Sequence, residues 1–235
     1  MEAFDPLKLV MILVPMLLSL TVHEYFHAWV ASRLGDDTAR AAGRLTLNPV
    51  AHIDPIGTLL IPIIGLSTGA PFFGWAKPVP ISPQRFTRRL RMKTGVMLTS
   101  AAGPLSNLVF GFLMAVVLSL VAHAIGVEKL FFMLQENQGL TVALVRLLGW
   151  TILINVGLFI FNLLPIPPLD GSGVLMGLLP ERYLPALQQL GRYSFILFIA
   201  ILLVGGQVIG LPVKWIIGVF STIVGFPIWL AFYGG

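Results

Sequence analysis

Residues 7–34 read LKLVMILVPMLLSLTVHEYFHAWVASRL, and this run decides the class of the protein. It is apolar almost throughout, and a helix of about 28 residues at 1.5 Å per residue is roughly 42 Å long. That length exceeds the hydrocarbon core of a bilayer, which is about 30 Å thick. The run is too long for the apolar part of a signal peptide and carries ionisable residues, so we interpret it as a retained membrane helix.

The composition of the whole chain also indicates a membrane protein. Of the 235 residues, 57% are hydrophobic and 11% are charged, and the mean hydropathy is +0.91. Soluble domains are about 45–50% apolar and about 25% charged. These values exclude a disordered chain, a coiled coil and a nucleic-acid-binding module. Because the chain has no cysteine, a disulfide framework and a cysteine metal site are excluded as well.

The spacing of the apolar runs predicts an all-α membrane protein, a polytopic helical bundle with about five transmembrane helices. After the first run, long apolar runs follow at 95–125, 140–164, 193–204 and 215–232. Gly205, Gly206 and Pro212 separate the last two, and this predicts a tight helical hairpin. Since neither a repeat nor a linker interrupts the pattern, residues 1–235 are interpreted as a single integral membrane domain.

The segment between the first two long runs has a different character. Residues 56–66 are apolar but number only about 11, with Pro62 among them, which is short for a spanning helix. Residues 69–83 alternate apolar side chains with prolines and glycines, a pattern typical of a short strand or extended hairpin. We therefore expect a short re-entrant or β-hairpin segment here. If residues 56–73 cross the membrane instead, the bundle has six transmembrane helices.

The strongest chemical signal is His23-Glu24-Tyr25-Phe26-His27 in the first run. Residues four apart lie on one face of a helix, one turn apart, so both imidazoles can bind the same metal ion. Two histidine nitrogens on a rigid element suit zinc, and Glu24 projects close enough to act as general base on the attacking water. Three ionisable groups so close together in a membrane helix are costly, which favours a functional site over structural polar residues.

A catalytic zinc ion needs a third protein ligand and one open position. The candidates are Asp170, Asp54, His52 and His123. Asp170 follows a proline-rich stretch, and irregular backbone at membrane depth is tolerated where it lines a water-containing cavity. From the residues alone, Asp170 is either a metal ligand or a turn aspartate at the interface. The other three are more typical of surface or capping residues.

Two motifs together resemble the site-2 protease family of intramembrane zinc metalloproteases. One is the HExxH motif, and the other is NLLPIPPLDG at residues 162–171. GPLSN at 103–107 and GWAKPVP at 74–80 are also similar to that family. The resemblance therefore extends over nearly the whole chain.

The resemblance implies a metal site with one Zn²⁺ per chain. His23, His27 and Asp170 correspond to the zinc ligands, and Glu24 corresponds to the catalytic glutamate. The gaps between the apolar runs are under about 40 residues, shorter than a typical domain, so they leave no room for a PDZ or nucleotide-sensing domain. The chain is expected to be a minimal member of the family.

The resemblance and the sequence also indicate residues for substrate binding. Asn162 corresponds to a family asparagine that assists substrate or transition-state binding. Asn107 is expected close to the site, with a hydrogen bond to a neighbouring helix as the alternative. Residues 72–73 and Trp75 could lie on an edge that pairs with an unwound substrate segment by strand addition. Anchoring of these aromatic residues at the membrane interface is the other interpretation.

Charge predicts the side of the membrane on which the site lies. The basic block at 85–93 holds no acidic residue and should lie in the cytoplasm. For the first helix and Asp170 to share a metal ion, the N-terminus must then lie outside and the C-terminus inside. We expect a multi-pass protein of the cell membrane with its active site toward the cytoplasmic side.

The sequence thus predicts an intramembrane zinc metalloendopeptidase whose partners are the lipid bilayer and single-pass transmembrane protein substrates. Two alternatives are a metal-binding transporter or channel, and an inactive relative that only binds membrane segments. Glu24 favours hydrolysis, because a transporter has no need for a glutamate between the two histidines. An inactive relative would be expected to lack a ligand or the glutamate, and all of them are present.

Overall fold

The computed structural model of the chain describes residues 6–68, 74–136 and 139–232. Every regular element within these ranges is helical. The α-helices of this part of the chain are Pro6–Arg33 (α1), Thr38–Ala41 (α2), Ile61–Thr68 (α3), Met92–Ile125 (α4), Val127–Glu136 (α5), Leu140–Asn162 (α6), Asp170–Leu178 (α7), Leu184–Gly191 (α8) and Ser194–Val224 (α9). A π-helical turn, Pro55–Leu60, leads into α3, and 3₁₀ turns lie at Pro49–His52, Pro83–Arg85, Glu181–Tyr183 and Ile228–Phe232.

Among the described helices, three are long and apolar enough to cross a membrane. They are Leu9–Arg33 within α1, and the whole of α4 and α6. A shorter apolar helical stretch, Ile209–Val224, lies within α9. The prediction of an all-α membrane protein is confirmed, whereas the count of about five transmembrane helices is not.

The last long helix corrects the expected hairpin. α9 is one continuous helix of 31 residues that runs through the glycine pair and the proline at 205–212, so the prediction of two helices joined by a tight turn is wrong. In a membrane, a break in a helix leaves backbone groups without hydrogen-bond partners at a cost of several kcal/mol each. A glycine inside a helix costs only about 1 kcal/mol. The helix ends at Gly225, whose φ of +66° turns the chain back toward α6.

The segment between α1 and α4 is helical in its first part and irregular in its second. Asp54 caps the turn that leads into α3, because its carboxylate accepts hydrogen bonds from the N–H groups of Ile56 and Gly57. Residues 74–82 belong to no regular element and form no strand pairing within the described chain. The β-hairpin is therefore not confirmed, and residues 69–73 of that prediction lie outside the described residues. Whether residues 56–66 are re-entrant stays a prediction.

Two different kinds of packing hold the bundle together. At the end where α4, α5, α6 and α9 meet, the core is mostly apolar and includes Leu118, Leu130, Leu134, Val145, Ile152, Ile217, Phe226 and Ile228. Where α1 packs against α4 and α6, the seam is polar, and Ser19, Asn107 and Asn155 are buried there. The polar seam leads to the functional residues.

Two glycines set the close approach of α7 to α4. A Cβ atom at Gly173 would lie 2.2 Å from the Ser100 hydroxyl, and one at Gly177 would lie 2.3 Å from Met97 Cβ. Small residues spaced one helical turn apart let two backbones approach closely in a membrane. This packing directs the first residue of α7, Asp170, toward α1.

Candidate active site

The two histidines of the HExxH motif lie on one face of α1, one turn apart. Their Nε2 atoms are 3.0 Å apart, and both side chains are buried. The helical spacing alone explains this proximity.

Asp170 approaches both histidines from the start of α7. Its Oδ2 atom lies 3.1 Å from Nε2 of His23 and 3.3 Å from Nε2 of His27. Among the described residues, these three form the group of histidine and acidic side chains whose donor atoms lie close enough together to hold one metal ion. The structure therefore brings the three predicted ligands together, although Asp170 is far from the histidines in sequence.

The second nitrogen of each imidazole identifies its tautomer. Nδ1 of His23 lies 2.6 Å from Oδ1 of Asn107, and Nδ1 of His27 lies 2.7 Å from the carbonyl oxygen of Thr99. Because these oxygens can only accept, each Nδ1 carries the proton and donates. Each Nε2 then presents a lone pair toward Asp170.

This donor set fits a zinc ion. Three electron-pair donors that face one another repel unless a cation lies among them. Ligands about 2.0–2.2 Å from a tetrahedral zinc ion are about 3.3–3.6 Å from each other. The observed separations of 3.0 to 3.3 Å would need to expand by only a few tenths of an ångström. Two imidazole nitrogens and one carboxylate are typical of catalytic zinc sites, and each imidazole is held through its Nδ1 atom.

The predicted catalytic glutamate faces residues 74–82, which we call the strap. Oε2 of Glu24 accepts a hydrogen bond from the backbone N–H of Val79 at 2.7 Å. Both residues line the same cavity as the two histidines. The strap therefore lies beside the glutamate and fixes one of its carboxylate oxygens.

The strap is tied to the protein through alternate residues. The N–H of Trp75 donates to the carbonyl of Gly57 at 3.2 Å, and the N–H of Lys77 donates to the carbonyl of His52 at 2.9 Å. The guanidinium of Arg44 donates to the carbonyl of Lys77 at 2.5 Å. These bonds fix the strap although it belongs to no sheet. The neighbouring Phe72 and Phe73 lie outside the described residues.

Asp36 holds the far end of the strap. Its Oδ2 atom accepts a hydrogen bond from the N–H of Ser82 at 2.6 Å, and its Oδ1 accepts from the N–H and hydroxyl of Thr38. Burial raises the pKa of Asp36, but the hydrogen bonds from Thr38 and Ser82 and the charge of Arg85 outweigh burial and lower the pKa below its usual value. The carboxylate is therefore ionised at neutral pH and stays a strong acceptor for the strap.

Substitution of Gly57 tests whether the strap supports catalysis. A Cβ atom at Gly57 would lie 2.3 Å from the indole ring of Trp75, so Gly57→Ala must displace Trp75 and the strap that follows it. Because small displacements in an active site are costly, we expect the rate of the predicted peptide hydrolysis to fall between about 10-fold and 100-fold with zinc content unchanged. Gly191→Ala is the matched control, since its Cβ would meet nothing closer than 3.9 Å. Equal rates in the two variants would contradict a role for the strap.

The helix α4 closes the back of the site. Gly103 lies against both imidazoles, and a Cβ atom there would be 2.3 Å from Nε2 of His27 and 2.7 Å from Cε1 of His23. The absence of a side chain at this position gives the histidines the space they occupy.

The front of the site opens into a cavity of about 960 Å³. Its walls come from α1, the strap, α6, the start of α7 and α9, and they are mostly apolar. His23, His27, Asp170 and Glu24 line it together with Asn162. An apolar space that reaches a small group of convergent polar side chains is the usual form of a binding site.

The two predicted substrate-binding asparagines occupy different places. Asn162 lines the cavity, and its amide donates to the carbonyl of Leu158 at 3.0 Å. Asn107 lies behind His23, fully buried, and its amide also donates to Asn155 on α6. The expectation that Asn107 lies near the site and the expectation that it bonds a neighbouring helix both hold. Direct contact of either residue with substrate stays a prediction.

The remaining candidate ligands have structural partners. Nε2 of His52 lies 2.8 Å from the carbonyl of Thr46, and the side chain is buried rather than at the surface. Asp54 is a capping residue, as expected. His123 lies within hydrogen-bond distance of Ser119, one turn earlier on α4. These residues lie outside the group that could hold a metal ion among the described residues.

Sequence analysis did not select Thr99, Ser19 or Asn155. Thr99 acts through its backbone carbonyl, for which its side chain carries no signal. Ser19 lies one helical turn before His23, and Asn155 lies about two turns before Asn162. Polar residues on the same face of an apolar helix as a functional residue are the signal that could have found both.

Comparisons with known proteins agree with the prediction of a zinc metalloprotease. The sequence model of peptidase family M50 matches residues 88–205. YwhC of Bacillus subtilis strain 168, named as a candidate zinc metalloprotease, is 41% identical over 199 residues, which are 84% of this chain and 83% of that protein. No solved structure matches the chain significantly.

Two mycobacterial proteins are also similar to this chain in sequence. Rip2 of Mycolicibacterium smegmatis is 28% identical over 194 residues, which are 83% of this chain and 67% of that protein. Rip2 of Mycobacterium tuberculosis strain Erdman is 31% identical over 195 residues, which are 81% of this chain and 67% of that protein. Both are named as candidate zinc metalloproteases.

Proposed function

Because the chain belongs to peptidase family M50, the site-2 protease family, and is a zinc metalloprotease, we propose that it cleaves peptide bonds within the membrane-spanning segments of other membrane proteins. His23, His27 and Asp170 hold the zinc ion, and Glu24 is the general base. The observation that carries the proposal is the convergence of these side chains on one apolar cavity between membrane helices.

Each residue of the site has a distinct role in hydrolysis. When bound, zinc polarises the scissile carbonyl and lowers the pKa of a coordinated water. Glu24 takes the proton of the attacking water and passes it to the leaving amine. The N–H of Val79 keeps the Glu24 carboxylate turned toward the cavity. Asn162, which also lines the cavity, binds the substrate backbone.

The size of the cavity favours an unwound substrate. Small-molecule sites occupy about 300–1,000 Å³, and this cavity has about 960 Å³. A spanning helix has about 20 residues and its peptide bonds are shielded by its own turns. The cavity therefore accepts a short extended stretch, and the substrate must lose helical structure around the scissile bond.

The strap supports pairing with such an extended stretch. Trp75, Lys77 and Val79 are bonded to the protein, whereas the backbone groups of Ala76 and Pro78 form no hydrogen bond in the described part of the chain. Pro78 has no N–H, so the strap offers mainly carbonyl acceptors on this edge. We propose that substrate N–H groups donate to it, which is strand addition without a continuous sheet.

Charge supports a location of the site near the cytoplasmic face. His27 lies about 9 Å along the helix axis from the end of α1 at Arg33. The site thus lies close to the end of the bundle where α4 begins, next to the basic block at 85–93. Basic residues that flank membrane helices favour the cytoplasm.

Cleavage of a defined substrate tests the proposal. The full chain is purified, reconstituted in lipid vesicles with a single-pass protein substrate, and the products are mapped by mass spectrometry. We expect a cut inside the apolar segment of the substrate, lost on zinc chelation and restored by added zinc. The matched control is a substrate in which the apolar segment is replaced by a soluble linker of equal length, and we expect it to stay intact.

Two results would contradict the proposal. Cleavage confined to bonds outside the apolar segment would show a membrane-bound protease that does not act within the bilayer. Equal cleavage of the control substrate would show that recognition does not depend on a transmembrane segment.

A further inference from the structure

A chain of buried hydrogen bonds extends from His23 away from the cavity. Nδ2 of Asn107 donates to the carbonyl of Ser19 at 3.0 Å and to Oδ1 of Asn155 at 2.8 Å. Nδ2 of Asn155 donates to the hydroxyl of Ser19 at 2.7 Å and to the carbonyl of Thr151 at 2.8 Å. Ser19, Asn107 and Asn155 each have 0% exposure. The chain therefore links α1, α4 and α6 in a region that solvent does not reach.

The chemistry of the partners determines the orientation of both amides. The carbonyl of Thr151 can only accept, so the amide nitrogen of Asn155 must face it and Oδ1 must face Asn107. The carbonyl of Ser19 can only accept, so the amide nitrogen of Asn107 must face it. The remaining atom of Asn107, Oδ1, then faces Nδ1 of His23 at 2.6 Å.

We propose that Asn155 is a positioning residue for the zinc site and acts through Asn107. It holds the Asn107 amide in the one orientation that makes Nδ1 of His23 a donor and leaves the Nε2 lone pair for the metal. This inference rests on the proposed metal site. Groups behind metal-bound histidines orient the imidazole, and their loss weakens metal binding about 10-fold to 100-fold.

A purely structural role predicts a different outcome. If the bonds of Asn155 only join α6 to α1, its replacement would lower stability without a specific effect on the metal. If Asn155 acts through Asn107, its effect on zinc affinity should disappear once Asn107 has been replaced. A double-mutant cycle separates these two roles.

The experiment uses the full chain in detergent with Asn155→Leu, Asn107→Leu and the double variant. Leucine has the same number of side-chain heavy atoms as asparagine and the same branch point, so it keeps the seam filled. Ser119→Ala is the matched control, because the Ser119 hydroxyl is also buried and donates to the carbonyl of Val224 on another helix, but lies outside this chain of hydrogen bonds. Zinc affinity is measured by competition with a chelator, and thermal unfolding is measured on the metal-free proteins.

We expect Asn155→Leu to weaken zinc binding about 10-fold, and Ser119→Ala to leave it unchanged. The double variant should bind zinc within about twofold of Asn107→Leu alone. The metal-free Asn155→Leu and Ser119→Ala proteins should both unfold at a lower temperature than wild type, because each loses a buried hydrogen bond between helices. Should Asn155→Leu fail to fold, Ser19→Ala, which removes one acceptor of Asn155, must weaken zinc binding in the same direction.

The inference is overturned if Asn155→Leu binds zinc as tightly as wild type. If Asn155→Leu does not fold, the same result in Ser19→Ala overturns it. The inference also fails if the two losses of zinc affinity multiply in the double variant, because Asn155 then acts independently of Asn107. If His27→Ala binds zinc as tightly as wild type, the proposed metal site itself fails. That result is distinct from a failure of Asn155 alone.

Discussion

We expect replacement of Glu24 by glutamine to remove most peptide cleavage and to leave the zinc ion bound. Glutamine has the same shape, and its side-chain oxygen can still accept the hydrogen bond from Val79, so the strap keeps its position. The amide has no basic oxygen that can take a proton from water. General acid–base catalysis contributes about 10²–10⁴-fold, and we expect a loss of that size in the cleavage rate.

The measurement compares cleavage of a reconstituted single-pass substrate with the zinc content of the same samples. Glu128→Gln is the matched control, because it makes the same chemical change at an exposed position on α5, and its rate should equal that of wild type. Residual activity within a few-fold of wild type in Glu24→Gln would exclude Glu24 as the general base. Loss of zinc together with activity would instead give Glu24 a role in holding the metal site.

Part of this site could be predicted from sequence because it depends on one helix. The backbone of α1 fixes the relation of residues four apart, so His23 and His27 were expected to share a face before any packing was known. Asp170 is different, because its position depends on the glycines that bring α7 against α4. Spacing left Asp170 as one of several candidates. The proline-rich backbone before it favoured it over the others, and the resemblance to a family strengthened that prediction.

Other features depend on partners that the sequence does not display. The alternation around the strap predicts extended backbone, but its hydrogen-bond partners are a glutamate side chain and the carbonyls of a neighbouring turn. A hairpin was therefore a reasonable expectation that was not confirmed. The continuous α9 shows a related limit of prediction from sequence. The rule that glycine and proline end a helix comes from soluble proteins, in which the free backbone groups of a broken helix can bond to water.

Replacement of Gly103 should have a large effect on the metal site, although neither periodicity nor side-chain chemistry indicates that this residue is important. Gly103→Ala places a Cβ atom 2.3 Å from Nε2 of His27 and 2.6 Å from its Cε1, far inside van der Waals contact. The imidazoles cannot move away freely, because their Nδ1 atoms are bonded to Asn107 and Thr99 of the same helix. We expect zinc binding to weaken at least about 100-fold and proteolysis to be lost with it.

The expected loss of zinc binding is opposite in sign to the effect of Gly103→Ala on the stability of the helix itself. Alanine favours a helix over glycine by about 1 kcal/mol, so α4 itself should gain stability while the metal site fails. Gly218→Ala on α9 is the matched control, since its Cβ would meet no atom within 4 Å, and it should keep both zinc and activity. Zinc affinity and cleavage are measured on both variants in the same vesicles. Full zinc occupancy in Gly103→Ala would mean that α1 can move away from α4 without loss of the site, which would contradict the close packing that holds His23 and His27 in place.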